Sequence, residues 1–548
     1  MLSNDVLAVF GQTAAAIAGI QAEKEMSASE KGEAILRQLC SALTATGRVF
    51  IVGDVPCHVM KNGRLMWILP KDRMLDEILI ACGLMPELSG NVDKALMRFL
   101  VASDFPEAEV IGISKYLPDD HTLLLNEWND SYLRIDADGN VTRHVNGEGG
   151  FLFEHGRVSH TTDLDTVNSY AGPAFGWSEE NALVRHVFGC GVFSETSGVG
   201  RRVAMDVLIA WTLGGLVPER IKAQPLLHLH GLGGTRKTAI ATALGWVLSP
   251  EGLGFRVVAA PEDRKEMETT LINARGLLCL DEANNLRTLF SLLKAVVTNA
   301  TIERRILYTT ASVQRFVIKL LCILTTNNVE LSDEAVARRV LKLDMGNPRH
   351  EQVAYRSDAA IEREWREGNL REACWQELVC RLSAVMRLLS AARRKNEDDP
   401  TVRYRMSGFW SFVTAVARQD GPETANRMDE AMMAIHDEQS RSVNTADDLL
   451  PLLHQWLTDY PEKQGRDLSA SEISAGLQCL PHINSSLAKV LGSALLLSNK
   501  LTASSEYIRL LGLEVVNGKR TKKFRFDLSK VRLEDVEVVK VSPLRRFE

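Results

Sequence analysis

The chain has 548 residues, 45% hydrophobic and 24% charged, which is material for several packed cores at roughly 150 residues per domain. Its 64 basic and 70 acidic side chains leave a net charge of −6, which excludes a globally basic nucleic-acid binder and confines any such surface to a local patch. The nine cysteines are scattered with no CxxC pair, which excludes a zinc ribbon and reads as buried thiols in a reducing compartment.

The N-terminus carries Asp5, Glu23 and Glu25 where a signal peptide needs positive charge. The most apolar stretch, Val203 to Val217, is interrupted by Asp206 and is too short to span a bilayer. A cytoplasmic protein without a membrane partner is expected. Residues 1–155 read as an N-terminal α+β domain. Ser27 and Glu30 form a capping box ahead of an apolar-periodic helix, Arg48 to Val52 and Arg64 to Leu69 read as strands, and short strand-like pieces with turn residues follow to Phe153. A Gly/Ser/Thr-rich connection occupies about 156–177. A helical region then starts at Ser178 and leads into alternating strand and helix patterns over 178–345, the signature of a parallel sheet with crossover helices. Residues 346–440 are expected to be helical, with Trp375, Leu378, Leu382, Met386 and Leu389 at helical spacing. A last module covers 445–530.

The strand Pro225 to His230 runs into Gly231-Leu232-Gly233-Gly234-Thr235-Arg236-Lys237-Thr238, and a good helix-forming run continues to Leu248. This is the P-loop layout. Backbone N–H groups of Gly231, Gly234, Thr235 and Arg236 cradle phosphate at a helix N-terminus, Lys237 reaches the β/γ-phosphates, and the Thr238 hydroxyl holds Mg²⁺. Arg236 departs from GxxxxGK[ST], because it stands where the last glycine belongs and must hold positive φ at a cost on the order of 1 kcal/mol. Gly276 to Glu282 is an apolar run ending in two carboxylates, as in a buried parallel strand. Asp281 is placed to enter the magnesium shell and Glu282 to polarise the attacking water. A further run, Leu320 to Leu324, ends in Thr325-Thr326-Asn327-Asn328, where the Asn327 amide can orient that water. Arg338 and Arg339 follow, placed to reach a neighbouring subunit's γ-phosphate. The intervals, 44 residues from Lys237 to Asp281 and 46 from Asp281 to Asn327, each accommodate a helix-plus-strand crossover with an insertion.

Walker A, Walker B with Asp-Glu, a Thr-Thr-Asn sensor and then an arginine together resemble an AAA+ ATPase. More narrowly, they resemble the superfamily 3 and minichromosome-maintenance-like helicases of phages, plasmids and mobile genetic islands. The resemblance covers about 200–345. It implies an α/β fold with an AAA+ P-loop core, ATP and Mg²⁺ as cofactors, and a homo-oligomer, usually a hexameric ring, with ATP at the subunit interfaces. In those helicases a hairpin just before the sensor strand grips DNA in the ring channel. Residues 303–316 alternate partly like a hairpin and would offer Arg304, Arg305, Tyr308 and Arg315 to DNA. The same segment also reads as a solvated crossover.

In the last module, Ser469 and Glu472 form a second capping box. Two β-rich runs then meet at Asn517-Gly518, a strong hairpin signal. Helices followed by a hairpin look like a winged helix, and five of the seven residues from Lys519 to Arg525 are basic: Lys519, Arg520, Lys522, Lys523 and Arg525. They suit a phosphate backbone, or they keep an edge hairpin soluble. Two other features point away from metal binding. Asp136 and Asp138 have the DxD form of a metal site but sit in Asp138-Gly139-Asn140 turn chemistry. His228 and His230 share one strand face without a third ligand. The expected function is an ATP-dependent DNA helicase or translocase of a mobile element, and the rival is a nucleotide-controlled scaffold or switch that does not unwind.

Overall fold

The computed structural model describes residues 4–70, 72–85, 92–156, 158–194, 199–221, 223–248, 255–261, 263–274, 276–283, 290–297, 301–305, 313–317, 320–327, 334–346, 358–397, 400, 406–445, 449–478, 491–503, 514–517 and 522–527. The protein is mixed α/β, built around one five-stranded parallel sheet. Its strands are Leu226–His230 (β1), Phe255–Ala259 (β2), Gly276–Asp281 (β3), Leu320–Thr326 (β4) and Val340–Asp344 (β5). They lie in the order β2-β3-β4-β1-β5, with every neighbouring pair parallel.

The period-2 geometry of a strand explains why these runs are apolar throughout. In β3, Leu277 and Cys279 face one hydrophobic cluster while Leu278 and Leu280 face another. In β4, Leu321 and Ile323 join the first, and Leu320, Cys322 and Leu324 join the second. Helix Lys237–Leu248 covers the first face through Ile240, Ala241, Leu244 and Val247. Helices Arg264–Asn273 and Phe290–Val297 cover the second through Met267, Leu271, Leu293 and Val296. Each fully buried Leu or Ile contributes roughly 1.5–3 kcal/mol, so both helical layers stabilise the sheet they cover. Helix Lys237–Leu248 presses so closely on β2 that a Cβ added at Gly245 would lie 2.3 Å from Phe255.

The first cluster extends well beyond the sheet. It takes in helix Arg201–Gly215 and helices Leu370–Arg394, Ser407–Asp420 and Pro422–Thr445. It also takes in the inner face of an antiparallel meander, Ser114–Leu117, Thr122–Asn126, Ser131–Ile135 and Val141–Val145. Trp128, fully buried between the second and third meander strands, donates its indole N–H to the Leu248 carbonyl, 3.0 Å away at the C-terminal end of helix Lys237–Leu248. An earlier unit, with helices Asn4–Ala22 and Ala28–Thr46 and the antiparallel strands Gly47–Val52, Val55–Met60 and Leu65–Trp67, has its own cluster. Its Ser27–Glu30 capping box is formed as expected from the sequence.

The C-terminal residues form a separate core around Leu453, Trp456, Ile473, Leu497 and Phe524. Among the described residues the order there is helix Leu449–Asp459, strand Leu468–Ser469, helices Ala470–Gln478 and Ala494–Ala503, then strands Glu514–Asn517 and Lys522–Arg525. The last strand lies between the other two, antiparallel to both. The ladder of the expected hairpin is described up to Asn517 opposite Lys522, and Gly518 to Thr521 lie outside the described residues.

Buried charges tie the helices to the connection before them. Arg381, only 1% exposed, donates from Nε to Glu377 at 2.7 Å and from Nη1 to the Ala174 and Gly176 carbonyls at 2.9 and 2.7 Å. Asp206 accepts from the Trp177 indole at 2.7 Å and from Arg427. Removing one partner of a buried ion pair leaves the other charge uncompensated, which costs about 3–5 kcal/mol. Arg381→Ala should therefore lower the urea-unfolding free energy of this core by about 3–5 kcal/mol, and a loss under about 1 kcal/mol would show that the guanidinium is not structural.

Candidate nucleotide site

β4 lies between β1 and β3, so the carboxyl ends of all three open onto the same edge of the sheet. The glycine-rich loop leaves β1 there. A Cβ at Gly231 would sit 2.9 Å from the Met345 carbonyl oxygen, and Gly234 holds φ +83°, so both positions require glycine. Arg236 holds φ +64°, the left-handed turn that a glycine would make without strain. Thr235 folds inward and donates to the Leu232 carbonyl at 2.9 Å. The loop therefore closes tightly just before helix Lys237–Leu248 begins.

Lys237 lies beneath the loop, 7% exposed. Its ammonium donates to the carbonyls of Gly231 at 2.7 Å and Leu232 at 2.9 Å, and to the Asn327 side-chain oxygen at 3.2 Å. Burial holds its pKa below the ordinary lysine range, while the carboxylates of Asp281 and Glu282 oppose that shift. The Thr238 hydroxyl donates to Asp281 at 2.9 Å, and the Thr325 hydroxyl donates to the same carboxylate oxygen at 2.5 Å. Thr325 Oγ1 also accepts the backbone N–H of Glu282 at 3.0 Å. Glu282 itself sits at φ +50°, turned out of the strand at its carboxyl end. Two of the left-handed non-glycine residues thus flank one opening, where strained backbone commonly marks function.

That opening is a cleft of about 500 Å³ lined by Gly234, Arg236, Lys237, Thr238, Asp281, Glu282 and Asn327 among the residues expected from the sequence. Thr325, Trp246, Ile361 and Glu362 line it as well, and the motifs single out none of them. Thr325 stands in the Thr-Thr-Asn run, where the sequence points to the amide two residues on. Trp246 follows Thr238 and Thr242 at four-residue steps on one helix face, a signal the sequence does carry. Ile361 and Glu362 come from helix Asp358–Glu367, which only the tertiary fold brings here.

The other expected residues lie elsewhere. Arg338 and Arg339 precede β5 at its amino end, across the sheet from the cleft, where the Arg339 carbonyl accepts the Leu226 N–H at 3.0 Å. Strands Thr301–Arg305 and Val313–Val317 pair antiparallel, with Arg304 opposite Gln314 and Arg315 opposite Glu303, while Tyr308 lies outside the described residues. In the C-terminal module Lys522 and Lys523 are exposed, and Lys519 and Arg520 lie outside the described residues. Arg525 is held within the module by Asp467 at 2.7 Å, with Glu514 at 3.8 Å. Asp136 accepts the N–H groups of Asp138 and Asn140, each at 2.9 Å, so the DxD run is a turn. Among the described residues, no group of three or more His, Cys, Asp or Glu side chains is placed to hold a metal ion. No helix among them is long and apolar enough to cross a membrane.

No family model matches the sequence, and no curated protein matches it. Among solved structures, an A-form apo structure of the NrS-1 C terminal region is similar at 10% identity and TM-score 0.37, covering 89% of this chain and 98% of that one. Two further apo structures of that region are similar at 10% identity and TM-score 0.38, covering 89% of this chain and 97% of theirs.

Behind the loop, His228 is fully buried and shares a 2.8 Å hydrogen bond between Nε2 and the Thr326 hydroxyl. Burial, aided by His230, Lys342 and Lys237 and opposed by Asp344, pushes its pKa down to about 3. The unfolded chain takes up a proton here below about pH 6.5 and the native chain does not until about pH 3, so native stability falls as pH drops through that window. His58, at about 4, and His160, at about 3, add to the same slope. Denaturation midpoints should therefore decline between pH 6.5 and 4, and His228→Gln should make the decline shallower. An unchanged slope in that variant would mean His228 is not held neutral.

Proposed function

We propose that the chain is an AAA+ P-loop ATPase that drives DNA unwinding or translocation, in the service of replication of a mobile genetic element. The observation that supports this best is the convergence of Lys237, Thr238, Asp281, Glu282 and Asn327 on one cleft at the carboxyl ends of three adjacent parallel strands. In this reading the loop N–H groups and Lys237 hold the β- and γ-phosphates, and phosphate oxygens take over from the carbonyls that now receive the ammonium. Thr238 and Asp281, hard oxygen donors 2.9 Å apart, suit Mg²⁺, which when bound would neutralise charge between the β- and γ-phosphates. Glu282 accepts a proton from the attacking water, and Asn327 fixes that water's orientation. Arg339, with Arg338 beside it, lies at the far side of the sheet and serves the cleft of a neighbouring subunit in a ring. The same reading divides the chain into an accessory region, an ATPase core, a helical lid and a winged helix. The helix–strand–helix–helix–strand–strand order of the described residues between 449 and 525 supports the last of these. The paired strands 301–305 and 313–317 are then the channel hairpin, and Lys522 and Lys523, with Lys519 and Arg520, contact the phosphate backbone. Arg525, engaged by Asp467, contributes to the module's stability.

A second reading, a nucleotide-controlled switch that binds DNA or protein without unwinding, is favoured by Arg236, whose left-handed backbone and side chain occupy the cradle's tightest turn. Hydrolysis coupled to strand displacement separates the two.

Glu282→Gln should retain ATP binding and lose hydrolysis by roughly 10²-fold or more, while Lys237→Ala should lose binding itself. Hydrolysis by Glu282→Gln at the parental rate would remove Glu282 as the base. For the C-terminal module, alanine at Lys519, Arg520, Lys522 and Lys523 should weaken DNA binding in fluorescence anisotropy. It should also flatten the dependence of log affinity on log salt by about 0.7–0.9 for each phosphate that is no longer neutralised. An unchanged slope would reassign the module to a protein partner.

A further inference from the structure

The cleft is longer than a polyphosphate needs. From the Thr238 hydroxyl it follows one face of helix Lys237–Leu248 past Ala239 and Thr242 to the Trp246 indole. Thr238, Thr242 and Trp246 are spaced four residues apart and so stack along that face. Eight residues at about 1.5 Å rise carry the cleft about 12 Å from the cradle, the reach from the phosphates to the base of an extended nucleoside triphosphate. The far end is walled by helix Asp358–Glu367. That wall is pinned: Ile361 and Trp365 are buried in the core, and the Trp365 ring meets Trp246 at 5.4 Å between centroids and 53° between planes. Glu362, one turn before Trp365, brings a half-exposed carboxylate to the same end, where it accepts from Arg366 at 2.5 Å. Beyond the phosphate cradle the lining is thus one indole, two aliphatic side chains, a hydroxyl and one carboxylate. A flat apolar wall with a single strong acceptor is what a purine carrying an exocyclic amine would fit.

We propose that this end of the cleft is a base subsite in which Trp246 packs against a purine ring and Glu362 accepts its 6-amino group. The proposal rests on the nucleotide reading above and adds to it the side chains that select adenine. Chemistry makes the selection sharp. Inosine carries a 6-oxo group where adenosine carries the amine, so its oxygen would face the Glu362 carboxylate, two acceptors with no proton between them. A glutamine there could rotate its amide to donate to the 6-oxo group.

The test measures equilibrium binding of ATP, ITP, UTP and inorganic tripolyphosphate, with magnesium, to the full chain by calorimetry. ATP should bind tightest. Trp246→Ala should cut the preference for ATP over tripolyphosphate by roughly tenfold or more, and Trp246→Phe should retain most of it and so verify that the helix packing survives substitution. Glu362→Gln should bring ATP and ITP to within a few-fold of each other. If ATP and tripolyphosphate bind equally well to the parental protein, or Trp246→Ala keeps the preference, there is no base subsite although the cradle stands. If Glu362→Gln leaves the ATP-to-ITP ratio unmoved, Glu362 does not read the base. If none of the four ligands binds, the nucleotide reading fails and this proposal falls with it.

Discussion

The hydroxyl of Thr325 holds the site together. It donates to Asp281 and accepts from the Glu282 N–H, so one side chain on β4 fixes both the carboxylate that ends β3 and the turn that aims the next one outward. The Ala283 N–H is taken up by the Thr325 carbonyl at 2.8 Å, which closes the same junction from the backbone. On the other flank of β4 the Gly231 N–H donates to the Thr326 carbonyl at 3.2 Å, so the glycine-rich loop starts from the same pair of threonines. The positions of lysine, threonine and two acids thus follow from where β4 sits in the sheet.

The polar layer under the loop is equally constrained. His230 shares a hydrogen bond with Asp344 at 2.8 Å, and Lys342 bridges Asp344 at 3.8 Å and Glu438 at 2.9 Å. These groups are mostly buried, and each has a partner that compensates its removal from water. They join the last residue of β1, the edge strand β5 and helix Pro422–Thr445 into one connected unit. Burial of His228 beside them keeps that ring neutral, which makes the layer sensitive to acid.

Much of this is legible in the sequence because its local signals agree with one another. Apolar runs end in Asp281-Glu282 and in Thr325-Thr326-Asn327, and a glycine-rich turn precedes a helix-forming run. Strand period and turn chemistry are local properties, so the parallel sheet can be read. The strained φ at Arg236 can be read too, since a missing glycine at a sharp turn has few alternatives. What cannot be read is set by packing between distant residues. Glu362 reaches the cleft through the packing of Ile361 and Trp365 rather than through any motif. The partner that claims Arg525 is Asp467, 58 residues earlier, so charge counting overstates what the basic run offers to a ligand. The place of the meander is hidden for the same reason, as its alternating pattern does not reveal what its buried face meets.

The bond between the Trp128 indole and the Leu248 carbonyl joins residues 120 positions apart, and its consequence concerns how the chain is made. A ribosome adding roughly 5–20 residues per second needs roughly 6–24 s to travel from one partner to the other. Throughout that interval the nascent meander has emerged without the helix end that receives Trp128, and helix Leu370–Arg394, which packs on the strand of Leu133 and Ile135, follows later still. An apolar sheet face is then exposed in a crowded medium for far longer than collapse takes, which makes this stretch a point where a holding chaperone would decide the yield of folded protein.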